Sequence, residues 1–367
     1  MLLAFKPGCR SMENNKKQNK NIRLSKVYRG ALIGCGYVSS FQLQAWSRIK
    51  GVEIVALSSR NQEKLKERAA EFDIPALYTD FRAMLDTESL DFVDIATPPN
   101  VHPEMVGEAA DRGLHVLCQK PIAETLFELK EMIRICEKAK VLFMVNENCR
   151  FQPWFRKMKA LLDKGVIGKP FYANMYCRWR GSFLKSRFEG QPFFTSMPRL
   201  VIYELGIHYL DTLRYLFKEP KSVYARARRV CRQITGEELA VLVLGIEDLT
   251  AVIDLSWASV PSYEHDQGFS WGEYRIEGDK GTLYLRKDGL LRLITDDEEQ
   301  QFQFPADSEL LSYQATQAHF IDCLRSGAEP ETGGSETLKT MELVFGAYDS
   351  AANNRIYQVS NDQERLR

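Results

Sequence analysis

The sequence predicts two consecutive domains behind a basic tail over residues 1–28: a doubly wound α/β domain with a parallel sheet over 29–150, then an α+β domain with a large open antiparallel sheet over 151–360. Three observations predict them. Up to residue 150 apolar runs alternate with helix-like stretches, the pattern of parallel strands joined by right-handed crossovers. Beyond Phe171 apolar runs follow one another with only turn signals between them, as antiparallel connections require. A chain of 367 residues is also too long for one ordinary core.

In chain order, Arg29-Gly30-Ala31-Leu32-Ile33 delivers an apolar run into Gly34-Cys35-Gly36, followed by a helical stretch ending near Lys50. A strand over 52–57 and a helix over 62–72 follow, then strands over 91–96, 113–118 and 141–145. A helix over 153–164 opens the second domain, with strands expected over 171–179, 222–230, 241–246, 250–257, 273–276, 282–285 and 290–294. Glu247-Asp248, Gly278-Asp279-Lys280-Gly281 and Asp288-Gly289 supply turns between them. A helical passage over 200–216 interrupts the series, and two more helices follow Tyr313 and Ser335. A sheet of this size needs cover on both faces, and the helices after Phe171 suffice for one, so a homodimer or homotetramer is expected.

Composition removes several classes of function. Forty-nine basic residues balance forty-nine acidic ones, so no global field draws nucleic acid or anionic lipid. No apolar run is long enough to span a bilayer. The eight cysteines are scattered without a Cys-x-x-Cys pair or histidine spacing suited to zinc, and no metal is expected; they read as buried thiols of a reducing, cytoplasmic setting. Residues 6–29 carry eight Lys or Arg and one acid, the composition of a disordered tail, and Met12 is an alternative start.

Chemistry is written at the strand ends. Gly34 and Gly36 stand where the first two glycines of a dinucleotide fingerprint permit a tight turn and close approach of backbone to a pyrophosphate, while Ser39 replaces the third. The second strand ends in Ser58-Ser59-Arg60, without the acid that holds the ribose hydroxyls of NAD. Ser59 and Arg60 suit a 2′-phosphate, so NADP is favoured and NAD remains possible. The alternative for Arg60 is a solvated strand end.

Seven motifs in order, from the fingerprint through Ala96-Thr97-Pro98-Pro99-Asn100-Val101-His102, Gln119-Lys120-Pro121, Asn148-Cys149-Arg150-Phe151-Gln152-Pro153, Gly165-Val166-Ile167-Gly168, Glu204-Leu205-Gly206-Ile207-His208 and the stretch from Glu277 to Leu283, resemble the family of glucose-fructose oxidoreductase, inositol dehydrogenase and MocA, known as Gfo/Idh/MocA. The resemblance implies a Rossmann domain and hydride transfer between NAD(P) and a carbinol carbon of a sugar, sugar acid, inositol or nucleotide sugar. A redox-assisted glycoside hydrolase and a non-catalytic sugar or nucleotide sensor are the alternatives on this fold. It implies Lys120 as the catalytic lysine, with Gln119 in place of the family's glutamate. The family's Asp-x-x-x-His pattern matches Glu204 and His208, which implies His208 as the general acid/base and Glu204 as its partner, with glutamate in place of aspartate. A spacing of four on a helix puts both on one face, about 5–6 Å apart. A metal pair and a buried structural histidine are the rival readings of His208.

The cofactor is expected against Gly34, Gly36, Tyr37, Val38, Ser59, Arg60, Thr97, Pro98, Asn100, His102, Gln119, Lys120 and Asn148. The substrate is expected against Lys120, Arg150, Arg178, Glu204 and His208, with residues 191–199 as a wall or lid. His115, His265 and His319 read as structural or surface residues.

Overall fold

The computed structural model describes residues 26–184, 188, 190–260 and 272–360. His265 and nearly all of the basic tail lie outside them.

The first sheet holds six parallel strands: β1 (Tyr28–Ile33), β2 (Val52–Ser58), β3 (Ala76–Tyr78), β4 (Phe92–Ile95), β5 (His115–Gln119) and β6 (Phe143–Asn146). Their order, β3-β2-β1-β4-β5-β6, reverses direction between β1 and β4, and a crevice opens there beyond the carboxyl ends. β4 and β6 are buried at every position, as strands covered on both faces must be. The crossovers are α1 (Tyr37–Trp46), α2 (Gln62–Phe72), α3 (Phe81–Thr87), α4 (His102–Asp111) and α5 (Leu126–Ala139). Local chemistry starts them: Asn61 and Asp80 accept backbone N–H groups of α2 and α3, and Thr125 and Glu128 close a reciprocal capping box on α5.

The second sheet has nine strands in the order β14-β13-β12-β11-β7-β10-β9-β8-β15. These are β7 (Pro170–Arg178), β8 (Ser222–Arg228), β9 (Leu239–Ile246), β10 (Leu249–Ser256), β11 (Glu273–Gly278), β12 (Gly281–Leu285), β13 (Leu291–Thr295), β14 (Glu299–Phe302) and β15 (Tyr357–Gln358). The sheet is mixed rather than wholly antiparallel, because β7 and β10 pair in parallel at its centre. The chain between them is long enough for a crossover: it holds a helical passage and the β8–β9 strand pair. Three short strands escaped the sequence reading, β3, β14 and β15, since two to four residues offer no period to detect. Along β7, β9 and β10 burial alternates, so Ala173, Met175, Leu242, Leu244, Ile253 and Leu255 face a helical layer.

That layer contains α6 (Pro153–Asp163), α7 (Ile207–Leu216) and α9 (Gly334–Asn353). The remaining helix, α8 (Ser308–Ser326), does not stay with the second sheet. Its Phe320 and Ile321 pack with Trp46, Phe92, Leu117 and Met144 of the first domain, and the Phe320 and Phe92 rings meet edge to face at 5.5 Å. Burying such side chains contributes about 1.5–3 kcal/mol each. The expected boundary near residue 150 therefore leaves out a helix that belongs physically to the first layer, and α8 ties the domains together.

Candidate active site

Two turns bring backbone to the crevice. Gly34 has φ +108°, and a Cβ there would lie 2.5 Å from the Ala96 carbonyl oxygen, so only glycine closes this β1-to-α1 turn against the end of β4. A Cβ at Gly36 would meet nothing within 4 Å, which leaves the N-terminus of α1 open on that side to an anion. Beside them is a cavity of about 560 Å³ lined by Gly34, Gly36, Ser58, Ser59, Arg60, Lys64, Thr97, Pro98 and Met105, among others. The turn, the open helix end and the volume together fit a dinucleotide. A larger groove of about 640 Å³ at the opposite edge of the sheet offers no comparable chemistry. Its His115 accepts from Leu142 N–H, and burial pushes its Cys136 thiol up to about 12.

Lys64, which reading the β2 end had passed over, stands one helical turn past Arg60 and lines the same cavity. Tyr37 is more than half exposed and packs on Phe41, and Val38 packs towards α8; only their backbone lies in the first turn of α1. Asn100 is exposed in a short 3₁₀ turn. His102 is fully buried and supports the loop rather than a ligand: Nδ1 is 3.0 Å from the Ile122 carbonyl and Nε2 is 2.7 Å from that of Thr97. Asn148 donates to Ser312 of α8 at 2.7 Å and is buried under that helix. Gln119 Oε1 accepts the backbone N–H of Lys120 at 2.7 Å, bracing the residue that follows it.

Lys120 lies just beyond β5, where ligands of open parallel sheets collect. Its ammonium donates to the Glu204 carboxylate at 2.9 Å and to the Glu204 carbonyl at 3.0 Å. Tyr203 OH, donating to the Ala123 carbonyl at 2.7 Å, clamps the same two segments together. Glu204 sits in a π-helical turn, Ile202–Gly206, that runs directly into α7. The two side chains nonetheless take separate partners. Glu204 turns to Lys120, whereas His208 Nδ1 lies 2.6 Å from Glu147 Oε1, with both side chains 3% exposed. The passage is held at its start by Glu237, whose carboxylate accepts the backbone N–H groups of Leu200 and Ile202.

Glu147 was invisible to motif reading. The signal available was an ionisable residue directly after the fully buried strand β6, a place where a charge needs a reason. Burial pushes its carboxyl up, but His208, the Cys149 N–H at 2.9 Å and the Lys120 charge outweigh that and hold it below the usual range. Glu147, Cys149 and His208 place three possible ligand atoms within 4.8 Å. The 2.6 Å contact is nonetheless that of a hydrogen bond, since two ligands of one tetrahedral zinc stand about 3.3 Å apart.

Two expected substrate residues are engaged elsewhere. Arg150 is 6% exposed and forms a two-pronged pair with Asp211 of α7, both contacts at 2.7 Å, and it also donates to the Glu331 carbonyl. Its planar fork is consumed in fastening the loop after β6 to α7. Arg178 shares the sheet face of Tyr176 and Asp254, stacking on one and pairing with the other, so it points away from the helical layer that carries His208. Within residues 191–199, Phe193 and Phe194 join an aromatic cluster with Trp179, Phe188 and Trp257. Phe193 is 43% exposed and none of residues 191–199 is buried, so the stretch lies at the surface over the buried Trp257 and Phe188 at the end of β7 and β10.

Comparison with known proteins agrees with this geometry. Residues 28–147 match a family model described as an oxidoreductase family with an NAD-binding Rossmann fold, and residues 155–284 match the GFO/IDH/MocA C-terminal domain. The chain is 38% identical to a D-apiose dehydrogenase of Paraburkholderia graminis, over 92% of this chain and 91% of that protein. It is 36% identical to a D-apiose dehydrogenase of Rhizobium rhizogenes, over 90% and 97%. The crystal structure of an oxidoreductase from Agrobacterium radiobacter, in complex with NAD+, L-tartaric acid and magnesium, aligns with a TM-score of 0.84 and 34% identity, covering 91% of this chain and 99% of that one. With a dinucleotide turn at the switch point, Lys120 at the end of β5 and His208 brought to the same rim, the chain belongs to the Gfo/Idh/MocA family of NAD(P)-dependent oxidoreductases.

Proposed function

We propose that this enzyme transfers a hydride between NADP and a carbinol carbon of a sugar or polyol, with Lys120 and His208 as its catalytic residues. The observation that carries the reading is the convergence of the two domains on one rim: Lys120 from the parallel sheet bonds Glu204, and Glu147 bonds His208 while sensing the Lys120 charge. When bound, the cofactor supplies the hydride acceptor. Two ammonium protons of Lys120 are engaged by Glu204, and the third is offered to the substrate oxygen, where it stabilises developing negative charge. His208 exchanges the hydroxyl proton. Glu204 keeps the ammonium aimed.

The relatives' names make D-apiose the first substrate to try, beside other aldoses, inositols and sugar acids. Following reduced cofactor by absorbance tests the reading. Turnover with at least one polyol is expected, and none across the whole panel would overturn it.

For cofactor choice the support is Ser59, Arg60 and Lys64 around a strand end that lacks an acid. Ser59→Asp with Arg60→Ala is expected to move preference towards NAD by more than about tenfold, because the 2′-phosphate loses a partner and meets a like charge. Unchanged relative affinities for the two cofactors would remove the assignment.

For assembly the support is the face of the second sheet that no helix among the described residues covers. Val243 is 38% exposed in mid-strand, with Tyr172, Tyr176, Val241 and Val252 half-buried beside it on the same face. Light scattering at micromolar concentration is expected to give a dimer or tetramer, and a stable monomer would contradict it. The seven described cysteines, all buried free thiols, support a reducing, cytoplasmic setting.

A further inference from the structure

We propose that Glu147 is the positioning residue of a Glu147–His208 proton relay: its carboxylate fixes the imidazole as the Nδ1–H tautomer and stabilises the imidazolium that forms when Nε2 takes the substrate's hydroxyl proton. The inference rests on the dehydrogenase reading above and adds a residue to it.

The position of the proton follows from counting donors. Glu147 Oε1 receives the Cys149 N–H at 2.9 Å as well as the contact from His208 Nδ1 at 2.6 Å. An oxygen accepting a fixed backbone N–H cannot also be the donor to the imidazole without crowding two protons beside it, so the shared proton sits on Nδ1. Proton exchange with the substrate then runs through Nε2. The second oxygen, Oε2, is buried with no hydrogen-bond partner among the described residues, so the carboxylate's charge is directed at the imidazole rather than dispersed.

The surroundings leave that charge in control. From the β5 end Lys120 is closed on Glu204, and on the loop after β6 Arg150 is closed on Asp211 of α7. From α9, Glu336 pairs with Arg214, while Thr340 bonds Asp211. Burial pushes the Cys149 thiol and the Tyr313 phenol of α8 up, so both stay neutral. Among these groups Glu147 is the carboxylate in direct contact with His208, with the Lys120 charge acting on it from the β5 end.

The step balances. The hydroxyl O–H breaks as Nε2–H forms, the oxygen's electron pair makes the carbonyl, and the electron pair of the C–H bond leaves as the hydride accepted by the bound nicotinamide. The imidazolium returns its proton to solvent before the next turnover. A buried carboxylate oriented on the far nitrogen plays this part in the serine protease triad.

Two measurements test the relay. In the wild-type protein without ligand, long-range proton–nitrogen NMR of the imidazoles at alkaline pH, with His208 assigned by difference against His208→Asn, is expected to give the Nδ1–H tautomer. An Nε2–H tautomer would overturn the proposal, whatever the enzyme's substrate. In Glu147→Gln the amide oxygen still accepts from Cys149 N–H and Nδ1–H, so the fold is retained and only charge is lost. There kcat is expected to fall at least about tenfold, KM and the cofactor Kd to stay within about twofold, and the acid limb of the pH–rate profile to move down by about 1–2 pH units. An unchanged profile with unchanged kcat would overturn it; Glu147→Asp should recover part of the rate. If no polyol supports turnover in the wild type, the dehydrogenase reading falls instead, and the tautomer result stands apart from it.

Discussion

His208→Asn is expected to lower the turnover number by about a hundredfold or more while cofactor affinity stays near that of the wild type. The cofactor cavity is bounded by the β1-to-α1 turn, the β2 end and the loop after β4, and His208 lines none of it. Asparagine keeps a polar side chain in a buried site but cannot shuttle a proton. Lys120→Ala should cost a similar factor, because the developing alkoxide loses its cation in a site only 18% open at the lysine side chain. Combining the two should cost less than the sum, since both act on one oxygen. Glu204→Gln is expected to be milder: the amide oxygen still receives the ammonium, and the carbonyl contact at 3.0 Å survives. Single-turnover hydride transfer, measured with the substrate found in the screen, separates these effects from product release. Near wild-type rates in His208→Asn would assign the proton to another group.

Arg150→Met is expected to lower folding stability by about 3–5 kcal/mol, the cost of leaving one half of a buried ion pair alone. Among the described residues Asp211 would keep one hydrogen bond, from Thr340 at 3.2 Å, and the Arg214 charge, against a desolvation that already pushes its carboxyl up. Arg150→Met with Asp211→Leu should be less destabilised than Arg150→Met by itself, because removing both charges leaves no orphan. Urea denaturation monitored by circular dichroism gives the comparison. The same variants decide between two roles for this arginine. A loss of stability with substrate KM little changed supports the fastening role seen in the fold; a large rise in KM with stability intact would return Arg150 to the substrate list.

Much of the fold was legible because its signals are local. The strand–glycine–helix sequence around Gly34, the alternation of apolar and helical runs up to residue 150, and the switch to successive extended runs after Phe171 each need only neighbouring residues to be read. Motif order singled out Lys120, Glu204 and His208 as candidates, and the structure places Lys120 against Glu204. The two-residue strand β15, the three-residue β3 and the parallel pairing of β7 with β10 were not, since pairing direction depends on where distant chain comes to rest.

By itself, then, the sequence determined the order of the two domains, the glycine turn after the first strand and the candidates for catalysis, Lys120 and His208. Tertiary structure decided who holds whom. Arg150 and Arg178 carried charges that a cleft could use, but each met a carboxylate brought from elsewhere in the chain, Asp211 and Asp254. Asn148 found Ser312 of α8, a helix from the far end of the chain that lies on the first sheet. Glu204 met Lys120 and His208 met Glu147, 84 and 61 residues away in sequence. A side chain's partner is set by the lowest-energy way to satisfy every buried charge at once. That is a property of the assembled interior, where Coulomb attraction and desolvation are both strong, and no spacing along the chain encodes it.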